Sequence, residues 1–442
     1  MSDDNNLLNS TKISMEDNNN KDIMNENLQQ QHNNINESTE NNSNKKRKRQ
    51  VVDQGHTYPP KQRKQQRKID FRDTNDISDA NYYFENGLRK VKPYYFNYQA
   101  YAKGRWLGKT ILDVFTTEFR DRSEVYYRYA IEKGLLTING ENVTTETIIK
   151  NGDIIGHKIH RHEPPVIDSP IKIVYEADNL LVVDKPGSIP VHPAGRYRHN
   201  SVVHILRNEK NIPKLYPSNR LDRLTSGLML ICKTSLKAAH MEHDMKNGNI
   251  QKEYVCRVDG EFPTEEIVCD QPIKIISHKL SMNYVHPDGK PCTTIFNRLS
   301  FDGTTSIVRC RPITGRTHQI RVHLKYLGFP IGNDPLYGNK TSWAKTLHIG
   351  QPLSEQDEKQ LVDKLMEASP YQTGVWDDDD NDKKKDESKL LEKETGEKCL
   401  DCSVALLQDP PRDSLFIWLH AWKYKGNDWE FETDLPDWAK EN

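Results

Sequence analysis

The sequence predicts an α+β fold built on a mixed, largely antiparallel sheet, with a smaller helix-and-hairpin unit ahead of it. Short apolar runs of strand length recur between 171 and 310 and again at 415–424, with few helical stripes between them and no strand–helix–strand alternation. The apolar share, 35% of 442 residues, is below that of a chain folded throughout, so part of the length builds no core. Residues 1–50 account for much of that. Fourteen of them are Asn, set among short polar and charged residues without an apolar period, which predicts a disordered tail.

A net charge of -1 conceals strong segregation. Residues 45–68 carry ten Lys or Arg against the single acid Asp53, and 351–398 hold fifteen Asp or Glu against eight Lys, including the run Asp377 to Asp380. The basic arm reads either as a bipartite signal for a nuclear import receptor or as an RNA-tracking tail that adds salt-dependent affinity. Residues 1–69 therefore form one block of tail and arm. Asp3, Asp4, Glu16 and Asp17 run against the Arg-rich, acid-poor pattern of a mitochondrial transit peptide, so nucleus and cytoplasm are expected ahead of the mitochondrion. No stretch approaches about 18 apolar residues, and no membrane contact is expected.

Residues 70–103 are rich in Tyr and Phe and read as an aromatic extension, packed on a neighbouring domain or serving as core filler. From Gly108 the spacing turns helical, with Ile111, Leu112, Phe115 and Phe119 on one stripe and Val125, Tyr129 and Ile131 beginning another. Leu136, Ile138 and Val143 around Asn139-Gly140 read as a hairpin, followed by Gly152-Asp153-Ile154-Ile155. Two helices and a hairpin over 104–163 resemble an S4-type RNA-binding domain. The resemblance rests on Asp121-Arg122-Ser123 and on Gly134 to Gly140, and it implies that Arg120, Arg122, Arg128 and Lys133 face RNA backbone. The alternative is that these four are ordinary solvated charges.

Pro164-Pro165 opens the next block, 164–350. Ile171 to Tyr175 and Leu180 to Val183 read as strands flanking a turn at Asp178-Asn179, and 228–232 and 306–310 as further strands. Residues 234–247 read as a helix. The acidic stretch at 351–411 interrupts the domain, and 412–442 return to it with a strand-like run from Leu415 to Tyr424 that should close the sheet.

Two motifs carry the chemistry. Asn219-Arg220-Leu221-Asp222-Arg223-Leu224-Thr225-Ser226-Gly227 sets a carboxylate between two arginines ahead of a turn, a placement suited to an acid acting beside a phosphate backbone. Further on comes Gly315-Arg316-Thr317-His318-Gln319-Ile320-Arg321-Val322-His323. In this order the two resemble the motifs of the RluA-type pseudouridine synthases. The resemblance implies a pseudouridine synthase fold, no cofactor, and Asp222 as the catalytic residue, either adding to the sugar or promoting elimination. It implies that Arg220 fills the space left by a flipped-out uridine, that Tyr254 in Gln251-Lys252-Glu253-Tyr254-Val255-Cys256 lies against the target base, and that Arg321 pairs with Asp222. Arg223, Arg316, Thr317 and His318 are expected to contact backbone or shape the turn rather than transfer protons. Asn219 departs from the family by standing where His is common.

Within that family, His192 to Tyr197, Trp418 to Trp422 and Leu435 to Trp438 resemble the fungal branch that modifies position 32 of the tRNA anticodon loop, which implies an anticodon stem-loop as partner. Some members of that branch carry a riboflavin-pathway deaminase at the C-terminus, and none is expected here. A different class stays open: an RNA-binding scaffold or tRNA chaperone that keeps the fold without turnover.

Seven cysteines, an odd number without a secretory segment, indicate a reducing compartment. Cys232, Cys256, Cys269, Cys292 and Cys310 sit in apolar or mixed stretches and are expected to be small buried thiols. Cys399-Leu400-Asp401-Cys402 has the spacing of half a zinc site. A deaminase-type catalytic metal is not expected, because His240-Met241-Glu242 is far from Cys399 and Lys398 rather than Pro precedes it. A structural zinc at Cys399 and Cys402 would need ligands from elsewhere. Oligomeric state has no signature in the sequence.

Overall fold

The computed structural model describes residues 80–119, 124–277, 281–338, 343, 354–368, 394–402 and 405–440. The expected tail, the basic arm, Arg120, Arg122 and the Asp377 to Asp380 run lie outside them.

The first strands are β1 (Tyr82–Glu85), β2 (Leu88–Val91) and β3 (Tyr94–Tyr101). Helix α1 (Ile111–Val114) continues into one wider turn over Phe115–Phe119, and α2 (Glu124–Glu132) follows. Thr110 caps α1 by accepting from the Asp113 N–H. The stripe expected at Val125 and Tyr129 is out of phase. The buried face of α2 is Tyr127, Ala130 and Ile131, while Val125 and Tyr129 point to solvent. Three adjacent apolar positions satisfied the periodicity equally well, and packing against Trp106, Ile111 and Phe115 selects among them.

Strands β4 (Leu136–Ile138), β5 (Glu141–Asn142) and β6 (Ile154–Arg161) complete a four-stranded antiparallel sheet in the order β3-β6-β4-β5. The Asn139-Gly140 turn has φ of 56° and 87°, the left-handed pair that a two-residue hairpin requires. Tyr94 to Tyr101 pair with Ile154 to Arg161 along their whole length, so this part of the aromatic stretch is an edge strand of the small sheet. Tyr95, Tyr98 and Tyr101 on it are exposed rather than core filler. β7 (Val166–Ile167) then joins β1 and β2 in a three-stranded sheet.

The large sheet comprises β8 (Lys172–Glu176), β9 (Leu180–Lys185), β10 (Tyr216–Pro217), β11 (Ser226–Cys232), β12 (Gln251–Asp259) and β13 (Ile267–Cys269). After the two-stranded sheet β14 (Ile273–Ser277) and β15 (Met282–Val285) it continues with β16 (Thr294–Phe301) and β17 (Thr305–Pro312). Beyond the hairpin β18 (Glu394–Lys398) and β19 (Ala405–Leu407), it ends with β20 (Leu419–Lys425) and β21 (Glu430–Glu432). The order among the described residues is β13-β16-β17-β12-β20-β11-β9-β8, with β10 on β11 and β21 on β20. Only the β11–β20 pair is parallel, which is the mixed, largely antiparallel sheet expected.

Helices α3 (Val202–Lys210) and α4 (Ser235–Lys246) pack their apolar residues with β9 and β11, and α5 (Gln319–Tyr326) packs with β12 and β17. Two cores result, one around Leu181, Leu230 and Ile205, the other around Phe262, Phe296 and Leu324. Tyr254 packs against both, so the seam between the two cores runs past it. Helix α6 (Glu355–Ala368), in the acidic stretch, inserts Leu361 and Leu365 beside Met282 and Tyr337 and is therefore anchored in the domain. The five cysteines expected to be buried thiols are buried. Among the described residues no helix is long and apolar enough to cross a membrane.

Candidate active site

The loop from Asn219 to Thr225 joins β10 to β11 and carries Asp222 at the seam. Local bonds hold it from three sides. The Thr225 N–H donates to the Asp222 carbonyl at 3.1 Å, closing the turn. The Ile417 N–H donates to the Leu224 carbonyl at 3.1 Å, and Ser226 Oγ lies 2.9 Å from His420 Nδ1, so the returning C-terminal strand grips the loop. Gly227 makes that grip possible. Its φ is 110°, and a Cβ there would lie 2.2 Å from the Ala421 carbonyl oxygen. Behind the loop, Lys185 is wholly buried and donates to the carbonyls of Pro186, Ile189 and Arg223, tying the end of β9 to the residue after Asp222. Burial pulls the Lys185 ammonium down to about 7, with the nearby Asp222 carboxylate opposing that fall.

Arg321 comes from α5. Its Nε and Nη2 bind Asp334 in bidentate fashion at 2.6 and 2.9 Å, and Nη1 donates to Asp222 Oδ2 at 3.1 Å. Asp334 is in turn held by the Leu336 and Tyr337 N–H groups at 2.9 and 3.0 Å, and the Tyr337 ring lies beneath the guanidinium. His318 stands at the N-cap of α5 with φ of 58°, which aims Nε2 to 3.6 Å from Asp222 Oδ2 while Nδ1 lies 3.0 Å from the Tyr337 hydroxyl. The turn before it is shaped by Gln319, whose side chain takes up the Thr314 hydroxyl and Arg316 N–H and donates to Thr293 and Thr294.

The electrostatics follow from this arrangement. Burial opposes ionisation of Asp222, but His318, positive only once protonated in acid, and the permanently charged Arg321 outweigh that and hold its carboxyl below the ordinary carboxylate range. Burial and the Arg321 charge push His318 down to about 4, so at neutral pH it is neutral and Arg321 supplies the compensation. Arg321 itself stays charged: burial works against it, and Asp334 and Asp222 overcome that.

Tyr254, on β12, faces the same cleft as Asp222. Its hydroxyl is pushed up to about 12, first by burial, and lies 3.0 Å from the Tyr424 hydroxyl. Asn219 donates to that Tyr424 oxygen at 3.1 Å and accepts from the Leu230 N–H at 3.3 Å, so it serves as a clip between the loop, β11 and β20. Replacing Asn219 with Ala should lower stability by about 1–3 kcal/mol, since the Leu230 N–H loses its side-chain acceptor and the Tyr424 hydroxyl loses one of its two partners, and leave RNA affinity within a few fold. Urea unfolding monitored by tryptophan fluorescence measures the first, filter binding the second. An unchanged unfolding midpoint would show that the clip has no structural weight.

The cleft over Asp222 measures about 2180 Å³, beyond the ~300–1,000 Å³ of a small-molecule pocket. Its described walls carry eight Lys or Arg, among them Arg161, Arg196, Arg220, Arg223, Lys252 and Arg316, against four Asp or Glu. Arg220, Arg316 and Thr317 are exposed on its rim, and Arg223 lies over the Tyr197 ring. The structure thus brings together Asp222, Arg321, His318, Tyr254 and the rim arginines. Arg128 and Lys133 are elsewhere, on α2 and just past its end. Arg128 is exposed and paired with Glu124, and Lys133 lies over the Tyr129 ring. Asp334, Tyr337, Lys185 and Tyr424 were not singled out from the sequence, though Asp334-Pro335-Leu336-Tyr337-Gly338 has the composition of a tight turn that could have drawn attention.

The Arg321–Asp222 pair is the one contact between site residues that the resemblance implied. The family model described as RNA pseudouridylate synthase matches residues 179–326. The mouse protein named pseudouridylate synthase RPUSD2 is 40% identical over 440 residues, covering 88% of this chain and 78% of its own. The chain belongs to the RluA-type pseudouridine synthases. Two Saccharomyces cerevisiae relatives of the synthase differ in their named targets. The mitochondrial tRNA pseudouridine(32) synthase is 42% identical over 372 residues, covering 80% of this chain and 77% of its own. The tRNA pseudouridine(31) synthase is 34% identical over 403 residues, covering 81% and 97%.

As a member of this family the synthase is an enzyme, which sets aside the scaffold alternative. The mitochondrial relative overturns the expectation that ranked nucleus and cytoplasm ahead of the mitochondrion. That expectation rested on four acids near the N-terminus, a stretch whose composition is independent of the folded domain.

Proposed function

We propose that the synthase isomerises uridine in the anticodon loop of tRNA, at position 32, with Asp222 as the catalytic residue. The observation that carries the reading is the ionised carboxylate Asp222, held by Arg321 at the floor of a cleft too large for a free nucleoside and lined with excess positive charge. In the reaction the C1′–N1 bond of uridine breaks, the uracil turns, C1′ bonds to C5, the C5 proton is lost to solvent and N1 takes one up, so atoms balance. Addition of a carboxylate to C1′ and removal of a sugar proton both demand an ionised Asp222. The target must leave its stack to reach the floor, and Arg220 on the rim is placed to occupy the gap. Tyr254, protonated at neutral pH, lies against the base, and His318 supports Asp222 as a neutral neighbour rather than as an RNA contact.

The tRNA assignment is supported by the two yeast relatives, and position 32 by the higher identity of the relative named for it. These relatives also favour the branch read from the sequence. The unit at 104–163 acts as an S4-like RNA-binding domain. Its exposed Val125, Arg128, Tyr129 and Lys133 present a mixed aromatic and basic face suited to RNA backbone. Within 70–103, Tyr94–Tyr101 extend that domain while Leu88–Val91 pair with Val166–Ile167; 164–350 with 412–442 form the catalytic domain, and 351–411 are an insertion within it.

An isolated anticodon stem-loop with uridine at position 32 should be converted to pseudouridine. The same stem-loop with cytidine there should bind within a few fold and give no product, because only the extruded base is chemically read. Conversion at position 31 alone would move the assignment by one nucleotide. Reaction of ribosomal fragments and no stem-loop would end it.

A further inference from the structure

His160, at the end of β6, and His162, two residues on, meet Cys399 and Cys402 at the tip of the β18–β19 hairpin, across about 240 residues of chain. One ligand atom from each lies within 4.8 Å of every other. The closest pairs are His162 Nε2 with Cys402 Sγ at 3.3 Å and His160 Nδ1 with Cys399 Sγ at 3.5 Å. For a tetrahedron with Zn–N of about 2.0–2.1 Å and Zn–S of about 2.3 Å, the nitrogen-to-sulfur edge is about 3.5 Å. The pairs therefore already have the spacing that one ion at their centre demands.

Four further observations point the same way. His160 and His162 are separated by one residue of extended chain, so both rings leave the same face, and their planes are perpendicular with centroids 4.9 Å apart. His160 Nε2, the nitrogen facing away from the cysteines, is 3.6 Å from Asp401 Oδ2, which is the carboxylate–histidine arrangement that orients a metal-bound imidazole. The His160 side chain is only 5% exposed and rests on the Tyr95 ring. Finally, β18 and β19 are five and three residues long, and a two-stranded hairpin of that size is not stable by itself.

We propose that His160, His162, Cys399 and Cys402 hold a structural Zn²⁺ that fastens the hairpin to the small sheet. Binding displaces the two thiol protons, leaving a neutral site of two thiolates and two neutral imidazoles around the dication. Four protein ligands leave no open position, so the ion does no chemistry. Its effect is on shape: His160 and His162, with Leu406 and Leu407 of β19, line the same cleft as Asp222. The ion would fix that wall while lying outside the catalytic constellation. Sequence spacing showed only the Cys-x-x-Cys half, because the other half is a His-x-His far upstream.

The full chain, purified without chelator from cells grown with added zinc, should contain one zinc per molecule by plasma mass spectrometry. Cobalt exchanged into it should give the intense visible bands of a tetrahedral site and a thiolate-to-cobalt charge-transfer band. Cys399→Ser with Cys402→Ser, and separately His160→Asn with His162→Asn, should bring zinc to background, while Cys292→Ser keeps it. Should those variants fail to accumulate, the natural chain still decides. Zinc should shield Cys399 and Cys402 from alkylation by iodoacetamide, and a chelator should expose them. Protein that stays metal-free after zinc incubation, or whose Cys399 and Cys402 alkylate equally with and without zinc or are recovered as a disulfide, overturns the proposal.

Discussion

Asp222→Asn should abolish turnover, lowering the single-turnover rate by about three orders of magnitude or more, while RNA affinity stays within a few fold. Asn is nearly isosteric and can still accept from Arg321 Nη1, which lies 3.1 Å away, so the loop has no reason to rearrange. What disappears is the charge, and both routes open to the residue require it. On the proposed reading affinity should come mainly from distributed backbone contacts, which do not need the Asp222 charge. Tritium release from C5-labelled uridine measures the rate, and filter binding at fixed salt measures the affinity. A near-normal rate would remove Asp222 from the chemistry. A parallel collapse of binding would make it a structural acid.

The sequence made the ends of this site legible and hid its middle. Asp222 and Arg321 stand in motifs dense with polar residues that no core needs, and the family resemblance those motifs carry singles them out. Asp334 could not be found that way. Its role is defined by an Arg321 guanidinium thirteen residues earlier on a helix, and only the fold shows that the arginine binds two carboxylates. Lys185 was hidden for a related reason: a lysine ending an apolar strand reads as a solvent-facing terminus, and its burial against three carbonyls is a tertiary fact. From the sequence His318 reads as an RNA contact or turn residue because its neighbours do, whereas a left-handed N-cap turns its ring onto Asp222.

The fold was readable where local chemistry is decisive. Asn139-Gly140 specifies a hairpin, and alternating apolar runs specify strands. The order β12-β20-β11, which builds the seam, was not readable, since β20 arrives from almost 190 residues beyond β11 and pairs with it in parallel. Helix α6 shows the limit of composition. Its acids made the stretch read as an interruption, while Leu361 and Leu365 at i and i+4 anchor one face of it in the core.

Arg321→Met should be the most disruptive single change outside the catalytic carboxylate, and in two separable ways. Asp334 has no exposed side-chain surface and Arg321 only 5%, so removing the guanidinium leaves a buried carboxylate without its counter-charge, at a cost of about 3–5 kcal/mol. In the natural protein Arg321 and two N–H groups overcome burial and hold Asp334 below the usual carboxylate range. A depressed folded-state value means the ionised acid stabilises the fold above the unfolded pKa, and that contribution is lost as pH falls through the lower folded value. In the variant, burial loses its main opponent and the folded value rises. The sign then reverses, and the stability deficit of Arg321→Met should be largest near neutral pH and shrink on acidification toward pH ~5. Asp222 shares the arginine, so the acid limb of the pH–rate profile should move upward in whatever activity remains. Adding Asp334→Asn separates the two effects. Asn removes the stranded charge and keeps an acceptor for the Leu336 and Tyr337 N–H groups, so the double variant should regain much of the stability. It should not regain turnover, because Asp222 still lacks its cation. Urea midpoints across pH and single-turnover rates measure the two independently. Recovery of full activity together with stability would show that Arg321 serves only to hold Asp334 in place.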